Sequence, residues 1–361
     1  MKIGIVTLNS VFGYGAVLQA YALQTYLRKE GHDPFFINCE YHLHGPLIRC
    51  PPRLLSRLKL AMIETVHEQL LRLYFSGFQK KHLNIGSHRY KNYQEIKHEP
   101  PIADAYVCGS DQIWHPYYCY SRDEGAVWLD FGDERTRRIA YAASFGDLEM
   151  DNKVCAHWAK YAQRLHSLSV REEEGVDMVR KLGRSDAAWV PDPTLLLDAH
   201  DYDPIEICMG KINVPSIFSY PLVSNWEMFT KAKATVCEEM GGPFHDCRPT
   251  SWRHSLFHGG LLKPGQWISR LRNAKFVLTD SYHGLLFSLI FHRPFIVLRS
   301  AKSSRIISVL RVVGLQHRAV TDYDRGRIKD ICREKVNWDQ VDARIQPFRE
   351  IGFRFLRDAL S

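Results

Sequence analysis

Short apolar runs along this chain alternate with longer stretches whose apolar positions recur at helical spacing, the pattern of an α/β protein. Lys2–Leu8 reads as a first strand, Gly13-Tyr14-Gly15 as a loop and Ala16–Lys29 as a helix. Gly31-His32 ends that helix and Pro34–Asn38 gives the next strand, a right-handed β-α-β opening. The series continues with strands at Asp104–Cys108, Arg138–Ala143 and Leu168–Val170, and helices at Asn152–Arg164 and Gly175–Leu182. Pro191 and Pro193 then hold Asp192 in an extended loop that closes a first domain.

The irregular stretch 198–210 suits a linker, and a second α/β series follows it. Strands are predicted at Ser216–Tyr220, weakly at Pro243–His245, at Lys275–Thr279 and at Pro294–Leu298. Helices are predicted at Trp226–Met240, Gly265–Asn273 and Ser303–Val313, with an apolar helical run from Leu285 to Phe291. Trp338–Leu360 is a helical tail that Pro347 must break or kink. The order predicts two Rossmann-like α/β domains facing a cleft, residues 1–197 and 198–337, and a C-terminal helical tail, 338–361, placed against the first domain.

Open α/β sheets bind ligands beyond the carboxyl ends of their strands, so the turns there hold the candidate chemistry. Gly13 and Gly15 around Tyr14 let the backbone approach a ligand, or simply make a tight turn. Gly109-Ser110-Asp111 is a small acidic turn after a strand, and Arg171 ends another, offering a charged fork to an anion or a salt bridge to a neighbouring glutamate. Asp111 and Asp192 either orient hydroxyls or form turns. At Thr279-Asp280-Ser281-Tyr282-His283-Gly284 a strand passes into a helix, whose N-terminus attracts anions while His283 moves a proton. The competing reading makes Asp280 or Ser281 a helix cap beside a buried histidine.

Composition narrows the partners. The formal charge is +8 over 361 residues, which favours an acidic partner, and no nucleic-acid motif accompanies it. Arg49–Leu83 sets basic residues among leucines, as a membrane-surface helix does, though also as a helix packed on its own domain with its basic face in water. The nine cysteines form no Cys-x-x-Cys pair, and the N-terminus carries no uninterrupted signal-peptide core, so a cytoplasmic, reduced protein is expected. His245, His254 and His258 lie in one region without zinc-site spacing, so no metal is expected.

Several stretches together resemble the polysaccharide pyruvyl transferase family. They are Tyr14-Gly15-Ala16-Val17-Leu18-Gln19-Ala20-Tyr21-Ala22-Leu23, Gly109-Ser110-Asp111-Gln112-Ile113-Trp114, Tyr141-Ala142-Ala143-Ser144-Phe145-Gly146, Ser169-Val170-Arg171-Glu172, Asp192-Pro193-Thr194-Leu195-Leu196-Leu197 and Asp280-Ser281-Tyr282-His283-Gly284, in family order. The resemblance implies a fold like that of the GT-B glycosyltransferases, with the acceptor on the N-terminal domain and the donor on the C-terminal one. It implies phosphoenolpyruvate as donor substrate, no separate cofactor, and a surface-glycan sugar as acceptor, often still lipid-linked, which fits peripheral contact with the inner membrane face. Donor binding falls to Arg171, Tyr282 and His283, with His283 as general acid and base.

Two departures stand out. Many relatives have Arg-Leu-His-Gly where this chain has Ser281-Tyr282-His283-Gly284, so a cation is missing and Arg305 or Lys302 is expected to replace it. Gly13 stands where many relatives have asparagine. The rival readings are a nucleotide-sugar glycosyltransferase on the same fold and a non-catalytic glycan-binding protein of polysaccharide assembly.

Overall fold

The computed structural model describes residues 1–8, 12–39, 54–115, 124–146, 150–208, 216–222, 225–248, 260–299 and 304–361, with backbone only for 54–65. The chain divides into two compact units. The first is Met1–Arg49, Gln79–Leu197 and Gln346–Ser361; the second is Cys50–Phe78 and Asp198–Ile345.

The first unit is built on a parallel seven-stranded sheet of order β3-β2-β1-β4-β5-β6-β7. Its strands are β1 (Lys2–Val6), β2 (Asp33–Cys39), β3 (Ile85–Tyr90), β4 (Ala105–Cys108), β5 (Arg137–Ala143), β6 (Ser167–Val170) and β7 (Ala188–Trp189). The helices are α1 (Tyr14–Lys29), α2 (Leu54–His82), α3 (Tyr93–His98), α4 (Glu124–Val127), α5 (Asn152–Ala162) and α6 (Glu173–Lys181), of which α2 falls with the second unit up to Phe78. The central strands β1, β4 and β5 are almost wholly buried because both faces of the sheet are covered there. One face buries Trp114, Trp128 and Trp158 in a single aromatic cluster, with Trp114 and Trp128 stacked at 4.1 Å.

The second unit carries a parallel five-stranded sheet of order β12-β11-β10-β8-β9. Its strands are β8 (Ile217–Tyr220), β9 (Phe244–Asp246), β10 (Phe276–Thr279), β11 (Phe295–Leu298) and β12 (Ala319–Val320). Its helices are α7 (Trp226–Met240), α8 (Pro264–Arg272), α9 (Tyr282–Ile290), α10 (Ser304–Val313) and α11 (Arg325–Arg333), and α12 (Trp338–Leu360) closes the chain. Met228 and Phe229 of α7 pack with Ile217, Phe276 and Leu278 on one face. Trp267 of α8 covers the other, 5.3 Å from both Tyr220 and Phe287 of α9.

Two expectations are corrected. The stretch 198–210 is not wholly irregular: Ala199–Ile205 forms a 3-10 helix, opened by the Asp198 amide donating to Asp201 (3.0 Å). Pro347 does not end the last helix, which runs as one element from Trp338 to Leu360. Its final part, from Gln346, joins the first unit, where Phe353 stacks on Tyr26 (5.3 Å) and Arg349 donates to the Leu195 carbonyl (2.7 Å).

Candidate active site

In the second sheet the order reverses between β8 and β10, and the loops leaving those two strands define its ligand-binding edge. Thr279, the last residue of β10, ties them: its hydroxyl donates to the Tyr220 carbonyl at the end of β8 (2.6 Å) and accepts from the Ser281 amide (3.0 Å). Asp280 accepts from the Leu222 amide (2.5 Å), so it braces the neighbouring loop and is not the cap. Ser281 is the N-cap of α9, its hydroxyl accepting from the Gly284 amide at 3.3 Å.

The first turn of α9 lies tight against β10. A Cβ on Gly284 would meet the Thr279 hydroxyl at 2.5 Å, so the glycine of this motif serves a close approach. Tyr282 and His283 follow the cap with their rings edge to face at 5.4 Å, and both are buried. Among the sequence candidates, Ser281, Tyr282 and His283 are thus brought together on one helix start. Arg305 sits half-buried as the second residue of α10, a helix that packs on α9. Lys302 lies outside the described residues, as do His254 and His258.

Beside this turn is a group that motif reasoning missed. Asp246 ends β9, buried, with its carboxylate accepting from Ser219 (2.8 Å) and paired with Lys233 (3.2 Å) and Arg248 (2.5 Å). Burial works against its ionisation, yet Arg248, Lys233 and Ser219 outweigh that and hold its pKa below the usual carboxylate value. The only sequence signal was an acid and a base two residues apart at the end of a weak strand.

The first unit carries a second polar cluster at strand ends. Arg171 follows β6 with its side chain fully buried, pairing with Glu172 (3.0 Å), Asp192 (3.1 Å) and Asp111 (3.4 Å). Of those carboxylates Asp111 is the most exposed, at 22%. Ser110 donates to the Ala142 carbonyl (2.7 Å) and to Asp192 (3.3 Å), and its amide donates to Gln19 (3.1 Å), which in turn bonds the Thr7 hydroxyl (2.7 Å). Asp192 also accepts from the Thr194 amide and hydroxyl, so it is both turn former and ion partner. Ser144 joins through Glu172 (2.7 Å). Gln19 was legible as a polar residue inside an apolar helix; the other links were not.

Gly109 must be glycine, since a Cβ there would fall 2.0 Å from the Tyr141 carbonyl and its φ is +121°. Gly13 is different: it is the N-cap of α1, with no side-chain cap, and a Cβ there would meet the Ala16 Cβ at an ordinary 3.9 Å. Tyr14 and Gly15 are the first residues of α1, both buried.

The sequence model of one family, described as polysaccharide pyruvyl transferase, matches residues 14–302, which takes in both strand-end clusters. The chain belongs to the polysaccharide pyruvyl transferase family. Among curated proteins no sequence matches it. Among solved structures it is similar to a putative UDP-N-acetylglucosamine 2-epimerase from Listeria monocytogenes, with TM-score 0.52 and 10% identity over 96% of this chain and 90% of that one. A glycosyltransferase from Rickettsia africae gives TM-score 0.47 and 10% identity over 99% and 95%. The first of these likenesses shows the fold alone, the two-sheet α/β arrangement of the GT-B type.

For a pyruvyl transferase the two clusters differ in what they can offer. Arg171 has its charge shared among three carboxylates and its side chain fully buried. The α9 turn instead presents a helix start and an imidazole at a strand end. Among the described residues no three His, Cys, Asp or Glu side chains gather as a metal-holding group, and no helix is long and apolar enough to cross a membrane.

Proposed function

We propose that this protein moves the enolpyruvyl group of phosphoenolpyruvate onto two hydroxyls of one sugar in a capsular, exopolysaccharide or other surface-glycan precursor, closing a cyclic pyruvate ketal and releasing phosphate. The observation that carries this reading is His283, held in the first turn of α9 at the reversal point of the second sheet, in a chain of this family.

The donor carries two anionic groups, a carboxylate and a phosphate, on one carbon. The α9 N-terminus, with Ser281 and Tyr282, favours one anionic group through its partial positive charge, and Arg305 on the adjoining helix supplies a permanent cation. His283, protonated, gives its proton to the donor's methylene carbon, and the neighbouring carbon gains cationic character. A sugar hydroxyl adds there and returns a proton to the imidazole. The carbon–oxygen bond to phosphate then breaks, the phosphate leaving with that proton. The second hydroxyl adds to the same carbon and reprotonates His283, so the histidine ends as it began.

On the first unit, Asp111 is assigned to hydrogen-bonding the acceptor's hydroxyls, with Arg171, Ser110 and Asp192 fixing its loop. Val66 and Leu73 are exposed on α2 beside Arg72, Lys80 and Lys81, which fits peripheral contact with an anionic membrane face presenting a lipid-linked acceptor.

The test incubates the protein with phosphoenolpyruvate and a glycan acceptor and reads phosphate and acceptor mass. Phosphate should appear only when acceptor is present, with an acceptor heavier by one pyruvyl ketal, and His283→Ala should slow turnover by about 10²- to 10⁴-fold. Thermal stabilisation by nucleoside diphosphates and not by phosphoenolpyruvate would overturn the reading in favour of a nucleotide-sugar glycosyltransferase.

A further inference from the structure

The donor's two anionic groups call for more than one anchor, and the arginine that many relatives carry is absent at Ser281. The register of the second sheet places a different arginine at the same edge. Ser219 of β8 pairs with Asp246 of β9, while Tyr220 of β8 pairs with Thr279 of β10. Continued two residues beyond Asp246, that register would bring Arg248 level with Asp280, two strand spacings or about 10 Å across the sheet. Alternation along a strand puts Arg248 on the face that Asp246 shares with Lys233 of α7.

The side chain is held in place before any ligand arrives. Arg248 pairs with Asp246 at 2.5 Å, and its guanidinium lies over the Trp226 ring, 4.3 Å from the centroid. Trp226 is the first residue of α7, whose start also lies beyond the carboxyl end of β8. The arginine side chain keeps 22% of its surface exposed while Asp246 keeps 5%, so the carboxylate anchors from beneath and the cation reaches the edge.

We infer that Arg248, seated on Asp246 and Trp226, joins Arg305 in standing in for the arginine missing at Ser281, and that it takes one anionic group of the donor. This rests on the reading given under Proposed function. Asp246 is its positioning residue.

The experiment titrates the full-length protein with phosphoenolpyruvate by calorimetry and measures steady-state kinetics for wild type, Arg248→Ala and Arg248→Lys. Loss of a charge-assisted contact should weaken phosphoenolpyruvate binding about 10- to 100-fold in Arg248→Ala, with the acceptor KM unchanged. Arg248→Lys should recover part of that loss, a rescue that a merely structural role would not give. The alanine variant leaves Asp246 bonded to Ser219 and Lys233, so the strand end keeps its partners, and the lysine variant tests the idea again should alanine unfold the protein. Wild-type binding of phosphoenolpyruvate with an Arg248→Ala affinity within twofold overturns this inference alone. Absence of binding in the wild type overturns the parent reading and this one together.

Discussion

Gly284→Ala puts a single methyl group into the close approach of α9 to β10. Its Cβ would lie 2.5 Å from the Thr279 hydroxyl oxygen, 3.0 Å from Thr279 Cγ2 and 3.1 Å from Thr279 Cβ, where ordinary contact begins near 3.4 Å. Thr279 has little room to yield, because its hydroxyl is already bonded to the Tyr220 carbonyl and the Ser281 amide. The start of α9 must then lift by a large part of an ångström, carrying Ser281, Tyr282 and His283 with it. Overpacking of this kind costs about 1–3 kcal/mol, and alanine's better helix propensity returns about 1 kcal/mol. The net is a loss of about 0–2 kcal/mol, a fall in Tm of at most several degrees for a domain of this size. Activity should suffer far more, since a displacement of about 1 Å at a reacting group costs on the order of 10²-fold. Thermal unfolding and phosphate-release kinetics on the same preparation separate the two effects. Adding Thr279→Ala removes the two nearest crowding atoms and should restore part of the lost rate, a coupling that a double-mutant cycle measures. Wild-type Tm and turnover in Gly284→Ala would refute the close-approach argument.

Arg171→Met removes the shared cation from three carboxylates, two of them buried, and should cost about 3–5 kcal/mol in denaturant unfolding; a loss under about 1 kcal/mol would mean the network is not what holds those strand ends. Because Arg248, Lys233 and Ser219 hold the folded-state pKa of Asp246 below its unfolded value, its ionised form stabilises the fold above about pH 4, and that contribution fades as pH falls through the folded-state pKa. The stability gap between wild type and Asp246→Asn should therefore narrow on acidification below about pH 4, and a gap that stays constant down to acid unfolding would contradict the ion-pair assignment.

Most elements were legible because both sheets are parallel and buried, so their strands read as apolar runs between helical stretches. Those that escaped notice have other causes. Ile85–Tyr90 is an edge strand with Ser87, His88 and Arg89 exposed, and it lacks the apolar run that marked its neighbours. Ala319–Val320 is too short for any period to show, and Arg325–Arg333 buries only Ile328, Ile331 and Cys332 among charged residues. The cap at Ser281 was one of two options in the sequence, and the choice turned on Asp280 reaching across to Leu222, a contact between positions far apart in the chain. Arg171 shows the same limit: the sequence offered a glutamate partner or an anion, and could not foresee that Asp111 and Asp192 converge on the same guanidinium from other loops.

The charge missing at Ser281 is the feature on which the functional reading turns, and the sheet order suggests how the loss is made good. Arg248 leaves β9, on one side of the β8–β10 reversal, whereas Arg305 opens α10, the helix that follows β11 on the other side. An arginine within the α9 turn would address a donor from the helix start itself, along the same line as the helix dipole. On the proposed reading, two arginines from opposite sides would address it across the sheet instead, one for the carboxylate and one for the phosphate. Ser281 then keeps the role that arginine fills poorly, accepting the Gly284 amide as a compact cap. On this argument the serine is not the mark of a decayed site: capping and charge, combined at one turn in many relatives, are divided here among three elements.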